Sequence, residues 1–169
     1  MRSNLHRFLL YCLIFILQII LDYYVNLGPY IYLCLLPLII LLIPMDSSPV
    51  KVMTASFAFG LLLDVMADGV LGLNAASAVM LAAFRKPLFD YFLNTDRLKK
   101  NELPSVKSAG IIQYSKFISI CVCIYLSVYI FADCISVRPA LFIMIRLISS
   151  IIVNGVTIMI ISYSIIDKD

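Results

Sequence analysis

Apolar residues in this chain run on in long blocks broken by short polar punctuation, with little of the alternation that marks half-buried strands. Such blocks read as membrane-crossing helices, since about 20 residues at a rise of about 1.5 Å each cross a hydrocarbon layer of about 30 Å. Six can be laid out, at about 8–24, 30–43, 52–66, 70–85, 111–132 and 139–166, as one membrane domain over residues 1–169. The first follows Arg2 and Arg7 and leads into Asp22-Tyr23-Tyr24, aromatic anchors where a cleaved signal peptide would carry small residues, so it is expected to be retained. The second follows Gly28-Pro29 and stops at Pro44. So few residues separate the third from the fourth that the two must form a tight hairpin. The sixth is longer than a bilayer requires and is expected to tilt or to project from it.

A polar stretch at about 86–110 separates the fourth and fifth blocks. At its start Pro87 suits a first helical turn, and Leu88, Phe89, Phe92 and Leu93 share a face opposite Lys86, Asp90 and Asn94. Two readings stay open there: a short helix lying on the membrane surface, or the frayed end of the fourth span.

Composition agrees with a membrane setting. Hydrophobic residues make up 63% of the 169 and charged ones 14%, against about 25% charged in ordinary soluble domains. Lipid is the expected surrounding, because a soluble globule of this length could not hide so much apolar surface. Basic residues then fix an orientation. Arg2, Arg7, Lys51, Arg85, Lys86, Arg97, Lys99, Lys100, Lys107 and Lys168 fall on one side of the six blocks, Arg138 falls on the other, and Lys116 and Arg146 lie within blocks. Lys and Arg collect on the cytoplasmic side. The expected protein is therefore an all-α, multi-pass inner-membrane protein with both termini in the cytosol. The net charge of +3 follows from those loops and gives no argument for nucleic acid.

Candidate chemistry is sparse. Cys12, Cys34, Cys121 and Cys123 sit inside apolar runs, where they read as small packing residues, and Cys134 lies near the outer surface with no obvious partner. His6 is the single histidine. No nucleophile elbow, phosphate loop or histidine pair occurs. Asp64-x-x-x-Asp68 resembles half of the diphosphate–magnesium motif of two classes of membrane enzyme, yet after Asp68-Gly69 the next aspartate is Asp90. A non-enzymatic protein without cofactor or metal is expected.

The polar residues within blocks are more informative, since an intramembrane charge costs about 2.5–3.5 kcal/mol and needs a partner or water. Asp64 lies roughly 20 Å along a helix from Lys51, and Arg146 roughly 10 Å below Pro139, so their depths coincide. Gln18, Asp22 and Asn74 reach the same outer half, and Asn154 is counted with the same polar layer. On the sixth block Arg146, Ser150, Asn154 and Thr157 form one stripe. Gly60, one turn before Asp64, leaves room for a neighbouring backbone. The expectation is an interior polar layer with an Asp64–Arg146 pair at its centre; it either orients the bundle or handles a ligand or proton.

The hairpin runs Phe57-Ala58-Phe59-Gly60-Leu61-Leu62-Leu63-Asp64-Val65-Met66-Ala67-Asp68-Gly69-Val70-Leu71-Gly72-Leu73-Asn74-Ala75-Ala76 and closes with Ala82-Ala83-Phe84-Arg85. This resembles the bacterial rod-shape-determining MreD family, whose loose signature is a Gly-Leu-x-x-Asp stretch, then Leu-Gly and a small-residue helix ending in Arg; here Gly60, Asp64, Gly72 and Arg85 match it. Length, Leu17-Gln18 and Pro37 are also similar to that family. The resemblance implies a non-enzymatic membrane component of the cell-elongation machinery that maintains cell shape and organises side-wall peptidoglycan synthesis. The partners it implies are a bitopic MreC-like protein and, in a larger complex, MreB, RodA and its transpeptidase. It also implies a fold related to the substrate-binding subunits of energy-coupling-factor transporters, which supplies a rival expectation: vitamin or other small-molecule uptake.

Overall fold

The computed structural model describes residues 2–25, 27–44, 47–68, 70–93, 110–134 and 138–166. The basic stretch at 94–109, with Lys168, lies outside them, as do the side chains of His6 and Asp68. The described residues are helical, with no strand: α1 (Arg2–Tyr24), α2 (Leu36–Leu41), α3 (Pro49–Leu63) continued by a π-helical turn (Asp64–Asp68), α4 (Leu73–Leu93), α5 (Ile111–Cys134) and α6 (Ala140–Ile166). Four helices are long and apolar enough to cross a membrane, over Arg7–Tyr24, Pro49–Ala67, Ile111–Cys134 and Ala140–Ser164. Their outward faces are apolar. Phe8, Leu9, Leu13, Ile16 and Ile20 on α1 are exposed, as are Leu141, Ile145, Ile148, Ile152, Val156 and Ile160 on α6. Such stripes suit acyl chains, which are as apolar as Leu.

The second block departs from expectation. Residues 31–35 take no helical form, and the helix that follows, α2, is only six residues long. Pro37 sits in its first turn, where a missing N–H costs nothing. Every residue from Cys34 to Leu42, Pro37 included, is buried. The segment is thus the centre of the bundle, wrapped by α1, α3, α4 and α5. Hydropathy alone cannot separate such a buried segment from a lipid-facing helix, because both are continuously apolar.

The fourth block runs on past Arg85 without interruption. Pro87 lies inside α4, and Phe89 is buried with its ring edge-on to Phe117 of α5 at a centroid distance of 5.9 Å. Leu88 and Phe92 pack on the same core, while Lys86 and Asp90 are exposed. The amphipathic face of 87–93 is therefore real, but it docks on α5 as the last two turns of α4 and is not a separate surface helix. Packing beyond this follows chain order: α3 lies on α4, α4 on α5 and α5 on α6.

Candidate functional site

A non-helical segment inside an apolar bundle leaves its backbone N–H and C=O groups without helical partners, and each such group costs free energy unless something bonds it. Side chains from α1 and α6 do so here. Gln18 on α1 accepts from the Leu35 N–H at 2.6 Å and donates to the Leu33 carbonyl at 3.2 Å and to Asp22 at 2.8 Å. Asn154 on α6 accepts from the Cys34 N–H at 2.7 Å and donates to the Tyr32 carbonyl at 2.6 Å. The Ser150 hydroxyl accepts from the Tyr32 N–H at 2.9 Å, and that of Ser149 donates to the Tyr30 carbonyl at 2.5 Å. An amide side chain carries both a donor and an acceptor, so Gln18 and Asn154 each bond one backbone N–H and one backbone carbonyl of this segment.

The Tyr32 side chain extends the layer. Its ring stacks on Tyr129 of α5 at a centroid distance of 4.0 Å. Its hydroxyl donates to Asn74 Oδ1 at 3.0 Å, as does the Tyr125 hydroxyl, which also accepts from the Cys34 thiol at 3.4 Å. Gln18, Asp22, Asn74 and Asn154 are thus linked through the backbone and side chain of residues 32–35.

The opposite end of the segment is held as well. Arg85 on α4, 4% exposed, donates from Nη2 to the carbonyls of Leu41 and Ile43, and the Tyr11 hydroxyl donates to that of Leu42 at 3.0 Å. These carbonyls belong to the last residue of α2 and the two that follow it, where no helical N–H comes after to bond them.

The expected Asp64–Arg146 pair does not form. Asp64 is 0% exposed and accepts three backbone N–H bonds, from Gly72 at 2.9 Å, Asn74 at 2.9 Å and Ala75 at 3.2 Å. It caps the start of α4 from the end of the preceding helix, where N–H groups lack partners and the helix dipole favours an anion. Arg146 instead donates to Asp133 at 2.6 Å and to the Cys134 thiol at 3.2 Å. Matching depth placed the two residues at one level but said nothing of direction: α3 packs on α4, and α6 on α5. Cys134, expected to lack a partner, is buried against Arg146 and Asp133.

The hairpin glycines have distinct tasks. A Cβ on Gly60 would lie 2.5 Å from the Ala75 Cα and 2.7 Å from its backbone nitrogen, so α3 and α4 touch backbone to backbone. Gly72, at φ +101°, takes a conformation that side chains disfavour, in the turn that delivers its N–H to Asp64. Asp133, Arg146, Arg85 and Tyr11 were the signals that composition and depth alone did not join.

Among the described residues no three His, Cys, Asp or Glu side chains come together as metal ligands. A cavity of about 290 Å³ lies beside Asp22 and Tyr32, lined also by Leu21, Gly28, Ile31 and Leu33. Comparison with family models, characterised proteins and solved structures finds no match for this chain.

Proposed function

We propose that this protein is a non-enzymatic membrane component of the bacterial cell-elongation complex, similar to the MreD family, acting in cell-shape maintenance and the organisation of side-wall peptidoglycan synthesis. In this reading the chain makes six passes of the inner membrane with both termini in the cytosol, the second pass being the partly helical segment of residues 31–43. Its partners are an MreC-like bitopic protein and, through the larger complex, MreB, RodA and its transpeptidase.

The observation that carries the reading is that each of the four positions on which the resemblance rests has a backbone task. Gly60 admits the backbone of α4, Asp64 and Gly72 build its first turn, and Arg85, at the other end of α4, holds the end of α2. Residues that each fix backbone at a distinct place are what a signature of a shared fold would contain. The polar layer also fits a scaffold, since Gln18, Ser150 and Asn154 bond the chain's own backbone.

The second reading, a vitamin- or other small-molecule-binding subunit of an energy-coupling-factor type transporter, is favoured by the cavity of about 290 Å³ at Asp22 and Tyr32. That volume lies just under the usual range of about 300–1,000 Å³ for small-molecule sites.

Depletion in the native host separates the two. The shape reading expects rod cells to round up, with an MreC-like protein recovered in copurification. Normal shape on deletion, together with a stoichiometric small molecule in the purified protein, would move the assignment to uptake. Orientation is tested by cysteine labelling from outside the cell: positions 26 and 135 should react and positions 48 and 100 should not. Labelling at 100 would overturn the six-pass arrangement.

A further inference from the structure

Where α5 ends and α6 begins, Asp133, Cys134, Arg138, Phe142 and Arg146 enclose, with Pro29, a cavity of about 420 Å³. Charge within it does not balance. Two arginines face one carboxylate, and that carboxylate is already bound by Arg146 at 2.6 Å. The Arg138 guanidinium lies 5.2 Å from the centroid of the Phe142 ring and has no ion pair among the described residues. Residues 135–137, which join the two helices, are Ile, Ser and Val and bring no acid of their own.

Arg146 also has donors to spare. Its Nη1 serves both Asp133 and Cys134, which leaves Nη2 for a ligand; its Nε, also without a hydrogen-bond partner, is closed off from solvent. Guanidinium groups present N–H donors in a planar fork that fits the oxygens of a phosphate. Outside the cavity, Leu141 and Ile145, each one position before a lining residue of α6 (Phe142 and Arg146), are 74% and 45% exposed.

We propose that this cavity binds a singly charged phosphate group through Arg138 and Arg146, the phosphate being carried by a membrane lipid whose chains lie along Leu141 and Ile145. Asp133 sets the charge of the occupant. With it in place the lining carries +1 (two arginines less one aspartate), which a phosphodiester neutralises and a dianionic phosphate overshoots. A zwitterionic headgroup would bring its own cation towards Arg138 and lose the advantage. Free inorganic phosphate shares the recognising chemistry but lacks the apolar part.

The test is thermal unfolding of the full chain in a neutral detergent, titrated with phosphatidylglycerol, phosphatidylcholine or inorganic phosphate. Phosphatidylglycerol should raise Tm in a saturable way, and phosphatidylcholine should not. Arg138→Gln should weaken the apparent affinity about three- to tenfold, as expected for one charge-assisted contact near water, while leaving the Tm without lipid nearly unchanged. Arg138→Lys keeps the charge and should retain most of the affinity, which separates recognition from damage to the fold. Asp133→Asn should strengthen the response to inorganic phosphate. Equal responses to the two lipids, or an Arg138→Gln protein that responds as the unaltered chain does, would overturn the proposal. Saturation by inorganic phosphate alone, with no added effect of lipid, would overturn the lipid as its source.

Discussion

The α3–α4 and α5–α6 hairpins turn at the same end of the bundle, and each places an aspartate at the end of its first helix. They satisfy it in opposite ways. Asp64 is fully buried and bonded to three backbone amides that the next helix holds rigidly in place. Asp133 keeps 33% of its side chain exposed and meets one long arginine side chain. A buried carboxylate needs several donors at once, and backbone N–H groups at a helix start supply them without ordering another side chain. A half-exposed carboxylate still has water, so a single mobile partner adds little. The first hairpin consequently constrains its glycines, Gly60 by contact and Gly72 by backbone conformation. No glycine lies in the described part of the second turn, and Gly155, further along α6, has open space around the position of a Cβ.

The strongest test of that contrast is steric. Gly60→Ala should cost about 3 kcal/mol or more, because the new methyl meets immovable backbone where overpacked side chains alone typically cost about 1–3 kcal/mol. Gly155→Ala should change stability by less than about 1 kcal/mol and can be slightly stabilising, since alanine is the better helix former. Thermal unfolding of the two variants in detergent checks both. A Gly60→Ala protein as stable as the parent would show that the two helices can separate freely at that point.

Next in size is the loss of each carboxylate. Asp64→Ala strands buried amides at the start of α4 and should cost about 2–4 kcal/mol, from about 1–3 kcal/mol for each buried donor left unpaired, less what entering water recovers. Asp133→Ala should cost no more than about 1 kcal/mol. Hydrogen exchange should report the same difference locally, with the amides of Gly72, Asn74 and Ala75 losing protection only in the Asp64 variant. Comparable losses for the two substitutions would mean that Asp133 is more deeply engaged than its exposure indicates.

The smallest expected effect is the coupling between Asp133 and Arg146. A double-mutant cycle with Asp133→Ala and Arg146→Gln should return about 0.2–1 kcal/mol, the range of partly exposed pairs. The same cycle on Asp64 and Arg146 should be additive within about 0.5 kcal/mol, because the two residues share no bonding partner. Coupling there above 1 kcal/mol would restore the pairing that depth alone had suggested.

The order of residues determined a good deal without a structure. The apolar blocks of α1, α3, α5 and α6 exceed what any other element could use, and they fold as long helices within a few residues of the expected bounds. Gln18, Asn74 and Asn154 had to face inward, since an amide in an apolar block has nowhere else to find a partner. Gly60 and Asp64, one turn apart, marked the close approach of α3 to its neighbour. Tertiary structure decided what these residues touch. Depth along a helix follows from a fixed rise per residue, but azimuth and the identity of the facing helix do not, so Asp64 and Arg146 could share a level and still point to different neighbours. Residues 31–35 were beyond reach for a related reason. Their non-helical form persists because Gln18, Ser150 and Asn154 bond the backbone it exposes, and Ser150 and Asn154 lie 118 and 120 residues along the chain from their partners. Local sequence records that the segment is apolar; only the assembled bundle supplies the partners that let it leave the helix.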